Sequence, residues 1–382
     1  MASIELLGKI LYVKSILVGV IPLRLPRSSW ELLILCYCYT IAIAGPLLHF
    51  LLYLAWFVSV MVKFRVTFVV SICMHLGEVP FLIFPSCYLL SCRAKMKQLA
   101  ELCTHVHSSS LLVGPFSLHA WYRKCCVFNL GYEAAHTVTL LANLALQCIF
   151  PEGMGKIYPQ TLLWIALSNL TKSAVLLTMY GSVQYLMLCT VKLNELLPRL
   201  SSWTDPYRQE TLRRLHFGRD GLMDFYGQLW QGAELANELF GPPLLAYLAI
   251  AFIHTTTIYY RVWSQLAGGL ENQPLVITVH LIVQLVWVTM DLMFLMAVVG
   301  SCGQMRQESL KTQKLLLRLN LSPMDHKLKQ SIEVFALQTL HQPIEFTACR
   351  MFTLDYTVLF SIAAAVTNYL IILIQFEMAI EQ

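Results

Sequence analysis

Hydrophobic positions in this chain gather into long runs instead of alternating or recurring on one helical face. Seven runs reach the roughly 20 mostly apolar residues that a helix needs to cross a bilayer. They lie near 32–60, 66–90, 127–150, 160–188, 239–262, 275–300 and 352–376. The first is long enough to tilt, and its Gly45-Pro46 pair predicts a kink. Between the runs the period changes. Asp205-Pro206 reads as a helix cap and first turn, and Leu212, Leu215, Leu222, Phe225 and Leu229 follow at helical spacing. Leu310, Leu315, Leu317 and Leu319 precede a second start at Ser322-Pro323, followed by Leu328, Ile332, Phe335 and Leu340. These stretches predict amphipathic helices that bundle beneath the membrane, because leaflet-binding helices seldom run so long.

The pattern predicts an all-α membrane protein with seven transmembrane helices and a cytoplasmic helical anchor. Its divisions are a cytoplasmic tail (1–31), helices one to four (32–188), a cytoplasmic amphipathic segment (189–238), helices five and six (239–300), anchor helices (301–351), a seventh helix (352–376) and a short tail (377–382).

Composition agrees. Of 382 residues, 57% are hydrophobic and 13% charged, with a mean hydropathy of +0.62. Soluble domains carry about a quarter charged residues. Disorder, a disulfide-stapled secreted domain and nucleic-acid binding are excluded. The net charge of +5 matters less than its placement. Of the 27 Lys and Arg residues, 22 fall in the N-terminal tail and in the gaps after the second, fourth and sixth runs. Lys63, Arg65, Lys156 and Arg261 lie on the other side, and Lys172 lies inside a run. Basic segments stay in the cytoplasm, so the N-terminus is expected inside and the C-terminus outside. A G-protein-coupled receptor has the reverse orientation, and the chain lacks its DRY and NPxxY signatures. The stretch Ile10 to Leu25 lacks a cleavage site and reads as a cytoplasmic amphipathic helix. None of the 12 cysteines falls in an expected outer loop, so no disulfide is expected. No zinc spacing, P-loop, HExxH or nucleophile elbow occurs, so no cofactor, metal or enzymatic activity is expected.

The seventh run carries a polar stripe. With Ser361 at zero and about 100° per residue, Thr357, Ala365, Asn368, Ile372 and Gln375 fall within about 40° of it. Amides this deep need protein or water. Two readings follow: a helix-packing seam, or a wall that faces water when several copies surround one axis.

Phe335-Ala-Leu-Gln-Thr-Leu-His341-Gln-Pro343, then Phe346-Thr-Ala-Cys349, and the terminal Tyr369-Leu-Ile-Ile-Leu-Ile-Gln375-Phe376 resemble insect gustatory receptors. The signature of that family is Thr-Tyr, five hydrophobic residues, then Gln-Phe. Here Tyr369, Gln375 and Phe376 are kept, Asn368 replaces Thr, and Arg350 stands where many members have Gly. Insect odorant receptors share the plan but end differently. The resemblance implies a multi-pass plasma-membrane protein acting as a tetrameric, ligand-gated, non-selective cation channel, homomeric or built with other gustatory receptors. It implies a small-molecule tastant as partner, and Asn368 leans toward the bitter-type group. The pore lining would then be Thr357, Ser361, Ala365, Asn368, Ile372, Gln375 and Phe376, with the cytoplasmic helices as a central anchor. A secondary transporter around Glu78, Lys172 and Asp291 is the other class, although no internal repeat supports it.

The resemblance also implies a ligand pocket among the outer halves of the second to sixth runs. Those halves hold Ser71, His75, Asn143, Gln147, Trp164, Ser168, Asn169, Thr256, Tyr259, Tyr260, His280, Gln284 and Trp287. Aromatics with a few polar groups suit small, partly apolar ligands, although single members also fit as interfacial aromatics or core histidines. Glu78 and Lys172 lie near mid-membrane and are expected to pair. Glu133, His136 and Asp291 lie deeper, where structural pairing or water contact is expected.

The charge asymmetry makes a direct prediction. A C-terminal epitope tag should stain intact cells, and an N-terminal tag only permeabilised ones; the opposite pattern would sink the inverted orientation.

Overall fold

A computed structural model of the chain describes residues 83–109, 118–149, 159–201, 221–267, 275–318 and 326–381, with residues 44, 47 and 51. Most of the first expected span, its Gly45-Pro46 kink, the segment at 10–25, most of the second span and Asp205-Pro206 lie outside these residues. The described elements, after helical residues 83–91, are α1 (Arg93–Ser109), α2 (Leu118–Ile149), α3 (Pro159–Ser201), α4 (Leu222–Ala267), α5 (Leu275–Leu317) and α6 (His326–His341). A two-stranded hairpin of β1 (Thr347–Ala348) and β2 (Phe352–Thr353) follows, then α7 (Tyr356–Glu381).

Among the described residues, four helical segments are long and apolar enough to cross a membrane: Lys172–Pro198, Leu222–Ala267, Thr278–Leu317 and Tyr356–Ala379. The helices outrun the apolar runs that predicted them. Leu222, Phe225 and Leu229 form the lower turns of α4, and Leu310, Leu315 and Leu317 end α5; neither set makes a separate amphipathic helix. A change from apolar to polar side chains alters what a helix packs against but does not stop it. Stopping it takes a breaker or a cap.

The core gathers where these extensions meet α6 and the hairpin. Phe225, Tyr226, Phe335, Ile344 and Phe346 are almost fully buried there. The Tyr226 hydroxyl donates to the Gln342 carbonyl at 3.0 Å and lies 3.2 Å from Ser309 Oγ, which accepts from the Ile344 amide at 3.1 Å. Beside it Asn194 of α3 donates to the Glu308 carbonyl at 2.9 Å and accepts from the Thr312 hydroxyl at 2.7 Å. Buried polar groups of this kind fix register because each must find its partner.

The hairpin seats the last helix. Asn237 of α4 donates to the Glu345 carbonyl and accepts from the Thr347 amide, both at 2.9 Å. One turn on, Gly241 gives the hairpin room: a Cβ there would stand 3.1 Å from the Cys349 nitrogen and 3.3 Å from the Thr347 oxygen. Pro242 and Pro243 follow inside α4. Pro242 cannot donate to the Glu238 carbonyl, and the Tyr88 hydroxyl takes that oxygen at 2.6 Å. Arg306 of α5 pairs with Glu345 at 3.6 Å and with Asp355 at 3.2 Å, so it grips the segment on both sides. Asp355 then caps α7, accepting from the Thr357 amide at 2.9 Å. The Thr357 hydrogen bonds, aided by the Arg306 guanidinium, hold the Asp355 carboxyl below its ordinary value.

Cys349 and Arg350 turn the hairpin at φ 52° and 59°. Positive φ at both central residues marks the tight turn that normally takes Asn-Gly. Left-handed backbone costs a side-chain-bearing residue about 1–2 kcal/mol. Arg350 offsets this only through an exposed ion pair with Glu234 at 3.3 Å, and such pairs contribute about 0–1 kcal/mol. Arg350→Gly is therefore expected to stabilise the fold by about 0.5–1 kcal/mol. Thermal unfolding of the purified protein measures this, and a lower Tm would refute the account of the turn.

Candidate functional site

Two places in the fold hold chemistry: a polar chamber inside the bundle, and the outward face of α7.

The chamber follows from helical spacing on four helices. Tyr132 and His136 lie one turn apart on α2, Asn169 and Lys172 one turn apart on α3, Tyr247 and His254 two turns apart on α4, and Gln284, Trp287 and Asp291 along one face of α5. Lys172 Nζ is 3.7 Å from Asp291 Oδ2 and 5.4 Å from the Trp287 ring centre. The charged mid-membrane Lys172 thus pairs with Asp291, across from α5; Glu78, the expected partner, lies outside the described residues. Asp291 Oδ1 accepts from the Tyr132 hydroxyl at 3.3 Å and faces His136 Nε2 at 3.0 Å. The Trp287 indole N–H donates to His136 Nδ1 at 2.8 Å. An imidazole that accepts at Nδ1 carries its proton on Nε2 and is neutral. Glu133 accepts from the Ser173 hydroxyl at 2.7 Å. Spacing flagged Glu133, His136 and Asp291 for pairing, and each has it.

Between these groups is a cavity of about 30 Å³. Lys172, Tyr247, His254 and Asp291 give it polar walls; the remainder is aliphatic, with Leu176, Ile250, Val288 and Leu292 among the lining residues. Tyr247 is buried, and its hydroxyl has no hydrogen-bond partner among the described residues. Tyr247 and His254 were missed by the sequence reading. Both sit on one α4 face two turns apart, a signal that their chemistry alone did not raise above a core tyrosine and a core histidine.

The expected ligand residues divide. Trp287 stands behind the chamber, holding His136 and Lys172. Gln284 lies 2.9 Å from His280 Nε2 and accepts from Arg261 at 3.2 Å. Asn143 donates to the Thr139 carbonyl of its own helix at 2.9 Å, and Thr256 donates to the Phe252 carbonyl at 2.9 Å. Asn169 is buried, with its side-chain oxygen unpartnered among the described residues. Tyr259 is 38% exposed and points away from the bundle core. Tyr260 is fully buried and donates to the Glu377 carboxylate of α7, so it reaches the last helix and not the cavity. Ser71, His75 and the side chains of Gln147, Trp164 and Ser168 lie outside the described set.

On α7, the half-buried or buried Val358, Ile362, Val366, Leu373 and Glu377 fall at about +60° to +160° on the same wheel. Thr357, Ser361, Asn368, Ile372 and Gln375 are left exposed; Ala365, at the margin, is half-buried. Phe376 is 60% and Tyr369 55% exposed, with Tyr369 edge-on to Phe252 of α4 at 5.5 Å. The segment has the highest mean hydropathy of the four spans, 2.2, yet 11% of it is buried within the chain, against 67% for α4.

The sequence model of the 7tm Chemosensory receptor family matches residues 8–380. The chain belongs to that family. Its similarity to insect gustatory receptors is direct. The Drosophila melanogaster gustatory receptor for sugar taste 43a is 28% identical over 156 residues, 41% of this chain and 35% of that one. The Drosophila gustatory receptor for bitter taste 66a is 26% identical over 178 residues, 43% and 31% of the two chains. The chain spans about a third of the length of the curated relatives it matches. The fold is that of the insect olfactory receptor OR5 from Machilis hrabei, with a TM-score of 0.72 at 11% identity over 98% of this chain and 100% of that one. The chain is thus a multi-pass membrane protein of the chemosensory receptor family, with the fold of OR5.

The ion pair in the chamber makes a prediction. Asp291→Leu leaves Lys172 charged and unpaired, which should cost about 3–5 kcal/mol and appear as lost surface protein and a lower Tm. Adding Lys172→Met removes the stranded charge and should recover most of the loss. A double variant no better than the single would show that the pair is not the cause.

Proposed function

We propose that the chain is a subunit of a tetrameric, ligand-gated, non-selective cation channel, opened by small-molecule tastants of the bitter type. One observation carries this reading: the most apolar spanning helix leaves its polar stripe outside its own chain. Lipid would meet the exposed stripe of Thr357, Ser361, Asn368 and Gln375, which is costly for the two amides. Copies of α7 around one axis would instead give the stripe a water-filled lumen. There a ring of neutral amides at Gln375 replaces part of a cation's hydration without trapping the ion, and Phe376 beside it supplies an apolar constriction.

The likeness in fold to OR5 supports a channel architecture, and the gustatory relatives support taste as the modality. Relatives named for sugar and for bitter taste match this chain to nearly the same degree; the bitter-type assignment rests on Asn368. The pocket of such a receptor would include Asn169 and the chamber at Lys172, Tyr247 and Asp291. α4 supplies a route from pocket to pore, since Phe252 and Tyr260 touch α7 at Tyr369 and Glu377.

Gln375→Arg would place four cations around the axis. Inward cation current should fall at least about 10-fold with surface expression unchanged, whereas Gln375→Ala should conduct with altered permeability ratios. Whole-cell recording with ion substitution measures both. Unaltered current in Gln375→Arg would mean that the stripe is a packing seam.

A further inference from the structure

We infer that the chamber between α3, α4 and α5 receives the hydroxyl group of a neutral, otherwise apolar ligand, and that it discriminates against ammonium and carboxylate heads on the same skeleton. The inference rests on the reading of the chain as a small-molecule receptor and names the class of molecule.

The first argument is electrostatic. Lys172 and Asp291 are the fixed charges lining the cavity, and they cancel. His136 is neutral by the hydrogen bond it accepts from Trp287. A cationic head would meet Lys172, and an anionic head Asp291, without water to screen either. The second argument is geometric. The pair stands 3.7 Å apart, too far for a direct hydrogen bond. A single oxygen can sit within about 2.8 Å of both Nζ and Oδ2, accepting from one and donating to the other. A hydroxyl does both; a ketone or ether only accepts. The third argument is the Tyr247 hydroxyl, which is buried at the cavity and unpartnered among the described residues. It offers a further donor and acceptor to the same oxygen. The fourth is size. About 30 Å³ holds roughly two waters, which suits one hydroxyl and not a sugar ring. The aliphatic remainder of the wall offers no partner to the further hydroxyls of a polyol.

The test uses four compounds on one skeleton, 2-phenylethanol, 2-phenylethylamine, phenylacetate and ethylbenzene, with glucose as the polyol. Apparent Kd is read from ligand-induced shifts in Tm of the purified full chain in lipid nanodiscs. The Lys172→Met/Asp291→Leu variant is the control for partitioning into lipid. 2-Phenylethanol should bind at least about 10-fold more tightly than the amine or the acid. Tyr247→Phe should weaken the alcohol roughly 3- to 10-fold and leave ethylbenzene unchanged. The double variant should erase the preference among heads. Equal affinities across the four, preference for a charged head, tighter binding of glucose than of the alcohol, or no saturable binding of the alcohol would each overturn the inference. Head discrimination in a protein that passes no current would count against the channel reading alone.

Discussion

Asn237 makes two hydrogen bonds to the backbone of one segment, and the position of the last helix depends on them. The amide reads the Glu345 carbonyl and the Thr347 amide together, so the hairpin can dock on α4 in one register. Gly241 lets the backbones approach, and Arg306 clamps both ends of the segment. Asp355 caps α7 as soon as the hairpin closes. With so little of α7 covered within the chain, its direction is set mainly at its root, by the core around the hairpin. A helix seated at its root and bare along its length is free to pack against copies of itself.

The chamber is the opposite case. Its members are enclosed on several sides, and its charged groups face one another. Trp287 fixes the tautomer of His136, His136 faces Asp291, and Asp291 faces Lys172. Such a network is tolerated in a membrane because its charges balance. What it leaves open at the cavity includes the loose Lys172–Asp291 pair and the Tyr247 hydroxyl.

Much of this was legible in the sequence. Apolar runs marked the spans at α3, α4, α5 and α7, and one helical wheel separated the polar stripe of α7 before any contact was known. The terminal Tyr369, Gln375 and Phe376 pointed to the family that the comparisons then assigned. Other features could not be read. The ends of α4 and α5 depend on tertiary packing, and the limits of the apolar runs near Leu239 and Gly300 do not mark where these helices stop. Asp291 could not be picked as a partner of Lys172 from depth, because depth ranks partners without saying which helices adjoin. Tyr260 suited a pocket by type and level, but rotation about α4 turned it to Glu377. The hairpin at Thr347–Thr353 carries no Asn-Gly signal, since its turn is built from Cys349 and Arg350.

Pro242 and Pro243 interrupt the backbone ladder of α4 just above the hairpin. Phe252 and Tyr260, which touch α7, and Tyr247 and His254, which wall the chamber, all lie on the outward side of that break. Asn237, which seats the hairpin, lies on the inward side. The prolines thus thin the backbone hydrogen bonds of α4 between the stem that seats the hairpin and the length that reaches the chamber and α7. Any bend of α4 there would change the shape of the chamber and drag the outer end of α7 in a single stroke.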